Sequence, residues 1–392
     1  MRLLSVSTLL AVAIAALYHD SLSHANPIVT VSSPNWPNQP GLTIVKRHPN
    51  GERGIRTALV EYHGSSGFLK CTRNQHQFSA ELNALEMIHA SNPEFPDISF
   101  QEVLGHFETQ DKYHCLVLEL LDGHTLKEFT ALVSGKEKSA LATSVIANLL
   151  GVTKYMHKLK LVHGNINPAN IIVTPAQKKG EYKFVLTGFE GSQIIAVPRQ
   201  TSILGTRGYA PPEDFTNKPV DQYKRESWMI GATAYFVLTG RSPYGLSQSL
   251  LRGKYVPVSD EKLESTMAAV AKTGINTFPK VNAPNRIMAE TIDKLLTGNA
   301  EARLPPSGFS LDYDISLLYY AERNTKEPVT WKTKWAKVRT SLLPRRTPVW
   351  QNPPPEDPQR CEALMTNSMR STVSDSSQWS DYCISLRHAK TI

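Results

Sequence analysis

The hydrophobic period of this chain changes once, near Asp122-Gly123, and that change admits only folds in which a sheet-rich part precedes a helical part. Before it, Leu59-Val60-Glu61-Tyr62 and Phe68-Leu69-Lys70-Cys71 read as two strands joined by a turn over 63–67. Cys115-Leu116-Val117-Leu118 reads as a buried strand. Between these strands Phe78, Leu82, Leu85 and Ile88 share one side of a helix over 78–89. After Thr125 the spacing is helical to about Leu318. Leu141, Val145, Leu149, Val152 and Met156 form one apolar stripe. Residues 228–238 are apolar nearly all round, so that helix should lie inside, and Thr239-Gly240 ends it. The expected fold class is α+β. Strands with one helix occupy 44–121, and a larger, mainly helical part occupies 122–320.

The two ends differ in character from this middle. Arg2 followed by the apolar run from Leu3 to Leu17 and by Ser23-His24-Ala25 fits a secretory leader over 1–25. A membrane anchor is the alternative, but the run is short of the ~20 residues a span needs. Secretion is therefore expected, and with it an oxidising setting for the four cysteines. There is no N-x-S/T sequon. Residues 26–43 are rich in Pro, Asn and Ser and read as a lead-in. The formal net charge is +8, and Lys326, Lys332, Lys334, Lys337, Arg339, Arg345 and Arg346 crowd one late segment around Trp331 and Trp335. The segment from Trp331 to Arg346 suits a solvated helix, with an acidic membrane surface as the alternative. Nucleic acid is not expected as a partner. The tail over 321–392 turns Pro- and Ser-rich, and Cys361 and Cys383 could pair within it.

The richest motif is Leu161-Val162-His163-Gly164-Asn165-Ile166-Asn167-Pro168-Ala169-Asn170-Ile171-Ile172. It resembles the catalytic loop of protein kinases, H-R-D-L-x-x-x-N. Other landmarks follow in that family's order from about residue 44 to 318. Lys70 resembles the strand lysine that holds nucleotide phosphates, and Glu81 its helix partner. Tyr209-Ala210-Pro211-Pro212-Glu213 resembles the A-P-E segment, with Arg303 as the arginine that pairs with its glutamate. Glu226 stands where the family has an aspartate at the start of the central helix. Leu85, Leu104, His163 and Phe189 resemble the apolar column between lobes. The resemblance implies a bilobal kinase fold, with Leu118 and Glu119 bordering the cofactor site. It also makes the strands of Cys71 and Cys115 antiparallel neighbours with the two cysteines opposite; four free thiols are the alternative.

The departures bear on chemistry. Asn165 replaces the aspartate that accepts the substrate proton, and Asn167 replaces the loop lysine. D-F-G becomes Gly188-Phe189-Glu190, so the metal position is left to Asn170 and a side-chain-free Gly188. Magnesium usually takes one or two carboxylates; Glu190 could supply one only after a backbone change. In the glycine-rich loop Gly51 persists, while Arg53 and Arg56 take later glycine positions. These arginines either form a solvated turn or bind phosphate themselves. Phe68, where the family has alanine, would project into the adenine space, with Ala58 returning a little volume. Gly164 replaces an arginine that often receives an activation-loop phosphate.

Together these residues describe a secreted protein-kinase-like chain impaired in catalysis, a pseudokinase that works by binding or scaffolding another protein, such as an active kinase or a host protein. No cofactor is expected, unless the pocket is open and takes ATP, with or without magnesium. Two alternatives stay open: a divergent active kinase acting on protein Ser/Thr, and a nucleotide-binding switch without catalysis.

Overall fold

The alternation over residues 56–72 becomes a tight hairpin. The computed structural model describes residues 36–310 and 316, apart from 50–53, 92–98, 134, 176–181, 198, 201–204, 217, 249–254 and 282–285. The expected leader, the basic and Pro/Ser-rich tail, Gly51, Arg53, Cys361 and Cys383 lie outside the described residues. The first lobe carries strands β1 (Leu42–Arg47), β2 (Arg56–Tyr62), β3 (Ser65–Thr72), β4 (Ser99–Phe100), β5 (Val103–Glu108) and β6 (His114–Glu119), with helix α1 (Gln75–Ala90) after β3. Five of them form an antiparallel sheet in the order β1-β2-β3-β6-β5. The turn between β2 and β3 is only His63-Gly64, both at positive φ (49° and 83°). That geometry matches the right-handed twist of the two strands, so β3 starts earlier than its Ser-Ser-Gly composition suggests. Helix α1 starts where the Asn74 side chain accepts the Gln77 N–H at 3.1 Å.

The second lobe carries β7 (His124–Thr125), α2 (Leu126–Leu132), α3 (Lys136–Lys158), β8 (Leu161–Val162), β9 (Ile171–Pro175), β10 (Tyr182–Leu186), α4 (Gln222–Thr239), α5 (Asp260–Thr273) and α6 (Arg286–Leu295). A second sheet has the order β4-β10-β9-β7. The stripe from Leu141 to Met156 on α3 is wholly buried, as its spacing predicts. So is most of α4, from Gln222 onward, and Gly240 ends it in the left-handed region. The polar first turn of α4 is inside because its charges have partners there. Arg225 pairs with Asp214 at 2.7 Å, and Glu226 accepts the backbone N–H groups of His163 and Gly164 at 2.5 and 3.1 Å. Likewise Arg303 grips Glu213 with two nitrogens at 2.6 and 3.0 Å.

Two expectations about the first lobe are corrected by register. β2 pairs with β3 as Arg56↔Cys71, Thr57↔Lys70, Ala58↔Leu69 and Leu59↔Phe68. Side chains alternate across a strand. Ala58 therefore lies on the outer face with Leu69, Cys71, Cys115 and Val117, while Thr57 and Leu59 share the face of Lys70 and Phe68. The expected placement of the glycine-loop residues was one residue out, which moves every side chain to the other face. Arg56 accordingly does not face a phosphate. It is buried on the outer side, 3.8 Å over the Tyr113 ring and 3.3 Å from Asp111. Leu104 likewise packs with the outer cluster and not in the interlobe column. The ring neighbours of Phe189 in that column are His163 at 4.6 Å and Phe100 at 6.2 Å.

Candidate functional site

Strand β3 presents Lys70 to the space between the lobes, and α1 brings Glu81 to it. The Nζ–Oε2 distance is 2.7 Å. A third member comes from the segment after Phe189, where Glu190 Oε2 lies 2.9 Å from the same nitrogen. Ser192, just beyond, donates its hydroxyl to the Ala80 carbonyl at 2.8 Å, so this segment also holds α1 in place. The cluster holds one positive and two negative charges in a mostly buried site. Burial alone would lower the Lys70 pKa, but the two carboxylates reverse this and raise it. Burial dominates at Glu81 and pushes its carboxyl up, despite Lys70. At the less buried Glu190, burial also opposes ionisation, yet Lys70 prevails and holds the carboxyl below its ordinary value.

Phe68 and Leu118 line the wall beside Lys70. Phe68 is half-buried on the same face, opposite Leu118 on β6, and its ring lies 6.1 Å from that of His48. Leu118 is buried. The backbone of Glu119 is already engaged: its N–H donates to the Glu102 carbonyl, and its own carbonyl accepts the Gln101 side chain, both at 2.9 Å. Burial pushes the Glu119 carboxyl up.

Below the cleft, the loop after β8 keeps its shape without its charge. The His163 ring nitrogen Nδ1 accepts the Asn165 N–H at 3.1 Å, which leaves Nε2–H to donate to the Thr187 carbonyl at 2.9 Å. Burial lowers the His163 pKa, consistent with this neutral ring. The Asn165 side-chain oxygen accepts the Thr206 N–H at 3.0 Å and hydroxyl at 2.7 Å, and the Asn167 amide at 3.2 Å. Asn167 is buried, and its own oxygen caps the Ala169 N–H at 2.9 Å. It is thus a structural cap, and it offers the cleft nothing like a lysine ammonium.

At the metal position the Asn170 side chain packs directly against Gly188. Gly188 sits at φ 78°, and a Cβ there would come within 2.8–2.9 Å of Cγ, Nδ2 and Oδ1 of Asn170. The Asn170 amide in turn donates to the Asn165 carbonyl at 3.0 Å. The position thus offers a carboxamide and a glycine but no carboxylate of its own, and Glu190 is turned to Lys70. These residues do not fit a magnesium site. Gly164 shows the same logic: at φ 76° its Cβ would meet the Gly191 carbonyl at 2.4 Å, so an arginine has no room there. On the outer face Cys71 and Cys115 stand opposite each other and form a disulfide, with Cα atoms 4.1 Å apart.

The structure thus gathers Lys70, Glu81, Phe68 and Leu118 on one side, and His163, Asn165, Asn167, Asn170 and Gly188 on the other. It excludes Arg56. Sequence reasoning missed Gln101 and Thr206, whose roles depend on long-range contacts with no local pattern. It named Glu190 only as a metal ligand, because a two-residue offset gave no hint of the lysine.

A family model described as protein kinase domain matches residues 68–308. Curated relatives include sperm motility kinase 2B from Mus musculus, 26% identical over 50% of this chain and 43% of its own. Serine/threonine-protein kinase D from Synechocystis sp. is 24% identical over 59% of this chain and 44% of its own. Serine/threonine-protein kinase PknA from Nostoc sp. is 28% identical over 59% and 40%. The chain spans less than half the length of these relatives.

Proposed function

This chain belongs to the protein kinase domain family, and on that premise we propose that it is a secreted pseudokinase that works by binding another protein. The observation that carries the reading is the Asn170 carboxamide packed against Gly188, where a metal-binding carboxylate would need to stand. Without a resident acid there, phosphoryl transfer lacks charge neutralisation worth several kcal/mol. Asn165 compounds the loss. Its amide is a negligible base, and general-base help is typically worth ~10²–10⁴ in rate. Its oxygen is also occupied by Thr206 and Asn167. Two further features argue against a nucleotide: Glu190 already sits on Lys70, and Phe68 occupies the cleft face. The Cys71–Cys115 disulfide supports an oxidising compartment and so agrees with secretion. The anionic membrane surface suggested for residues 331–346 is a lesser part of the proposal.

One observation favours a second reading. The Lys70–Glu81 pair is intact at 2.7 Å, as a non-catalytic nucleotide switch would require. Thermal unfolding of the mature protein with ATP, with and without magnesium, separates the two. No rise in midpoint at millimolar ATP is expected; a rise of several degrees would establish the switch. Magnesium-dependent phosphate transfer, lost in Lys70→Ala, would overturn both readings in favour of an active kinase.

A further inference from the structure

The loop that follows α4 builds a cavity far along the chain from the Lys70 cluster. Gly240 caps α4 at φ 76°, and residues 241–245 then turn back across a short hairpin of Leu246–Gln248 and Tyr255–Pro257. Helix α5 forms one wall and residues 277–279 another. The cavity has a volume of about 260 Å³. That is below the ~300–1,000 Å³ of sites that enclose a whole small molecule, and suits one inserted side chain. Its aromatic wall is rigid. Tyr244 and Phe278 meet edge to face at 5.3 Å, and the Tyr244 hydroxyl accepts the Thr277 N–H at 2.9 Å.

The charge of the lining is one-sided. Among the described residues its charged lining is Arg241 and Lys262, with no acid. Asp260, Glu261 and Glu264 lie on the same helix but outside the cavity, and Asp260 is bound to Arg207. Arg241 stacks 4.0 Å over the exposed Tyr255 ring. Among the described residues neither Arg241 nor Lys262 has an acidic partner, whereas Arg225 and Arg303 do. A small cavity with an aromatic wall of Tyr244 and Phe278, rimmed by an exposed tyrosine and two cations without acidic partners, fits the anatomy of a binding hot spot.

We infer that this cavity is a docking site for an acidic peptide segment of a partner protein, one that inserts an aromatic or long aliphatic side chain and places Asp or Glu beside Arg241 and Lys262. The inference does not depend on whether the interlobe cleft transfers phosphate, since docking would serve either a binding protein or an enzyme. The test is a random-peptide display selection on the immobilised mature chain, followed by fluorescence-polarisation titration of the enriched peptides. Acidic peptides with one large apolar residue should be enriched. Their affinity should fall about tenfold in Arg241→Ala/Lys262→Ala, as expected for two rim ion pairs. It should fall similarly in Thr266→Trp, which fills the cavity and leaves both cations. Unfolding midpoints identify any variant that fails to fold. The basic segment 326–346 also attracts acids, so only binding lost in the cavity variants counts. Enrichment of neutral or basic peptides, equal affinity in the variants, or full competition by millimolar inorganic phosphate would overturn the inference.

Discussion

Replacing Lys70 by methionine removes the cation between Glu81 and Glu190 while keeping a side chain of similar length. The two carboxylates it leaves were 2.7 and 2.9 Å from its nitrogen. Removing one partner of a buried ion pair costs about 3–5 kcal/mol, because a charge stays behind uncompensated. Here two stay behind, but both need not remain charged. Glu81 is the more buried and is already held above the ordinary carboxylate range, so it will take the proton. That escape costs about 1.4 kcal/mol for each pH unit between the solution and its pKa. The loss should therefore sit at the low end of the range near pH 5.5 and at the high end near pH 8. Unfolding a domain on the order of 270 residues changes entropy by roughly 0.6 kcal/mol per kelvin, so Tm should fall by about 5–9 °C. Adding Glu190→Gln removes one of the stranded charges and should return part of the loss. Thermal unfolding followed by tryptophan fluorescence at the two pH values reads the parent and both variants. A fall under 2 °C at both, with no recovery in the double variant, would refute the triad as a stabilising unit.

Phe68→Ala should give an ATP-dependent rise in midpoint that the parent lacks, since it clears the face beside Lys70; an unchanged response means that the ring is not what excludes the base. Gly188→Asp should not restore magnesium binding and should cost about 1–3 kcal/mol, because the backbone is at φ 78° and the new Cβ strikes Asn170; calorimetric titration with magnesium and ATP checks it. Cys71→Ser/Cys115→Ser opens a loop with a sequence separation of 44, worth about 4 kcal/mol in the chain-entropy view, and dithiothreitol should destabilise the parent to match. Burial would raise the Glu226 carboxyl, but His157 at 2.6 Å and the loop N–H groups hold it below its ordinary 4.5. Its stabilising contribution is complete above that unfolded value and fades as pH falls through the lower folded one. Acid unfolding should therefore be less steep in Glu226→Gln.

The large features of the fold were readable because each rests on a strong local pattern. The stripe from Leu141 to Met156 needs only helical spacing, and Lys70, Glu81, Glu213 and Arg303 each sit in a recognisable motif. What was lost was register. β2 alternates in both possible phases over Arg56-Thr57-Ala58-Leu59, and nothing local says which phase faces β3's lysine. The ladder Thr57↔Lys70 decides it, and that pairing is a tertiary fact. Leu104 was misplaced for the same reason, since β5 has an irregularity between Val103 and Gly105 that shifts its alternation. Asn165 and Gly188 were legible as missing acids, but the hydrogen bonds that fill the space they left were not. Thr206 reaches Asn165 across 41 positions and Glu190 reaches Lys70 across 120. Separations of that size leave no trace in a window of sequence.

Five acids around the cleft and the helical lobe share one feature. Glu81 and Glu190 face Lys70, Asp214 faces Arg225, Glu213 faces Arg303, and Glu226 faces His157 and two backbone N–H groups. Every one has its counter-charge or donors inside the protein. The two positions whose counter-charge would come from outside, 165 and 188, carry an amide and a glycine. A carboxylate at 165 would meet only the neutral donors of Thr206 and Asn167, and one at 188 would be pressed against the Asn170 amide; a buried charge without a counter-charge is costly. A chain that regularly bound metal and nucleotide would recover that cost on binding. A chain that never does gains stability by losing the acid, and loses it again if Lys70, Arg225 or Arg303 goes. The pattern of which acids stay is therefore what folding stability alone would keep. It predicts that Asn165→Asp lowers the unfolding midpoint, and that magnesium and ATP do not restore it. Recovery of the midpoint in that variant on adding magnesium and ATP would mean that the cleft still meets its ligand, and that the amide at 165 was chosen for something other than stability.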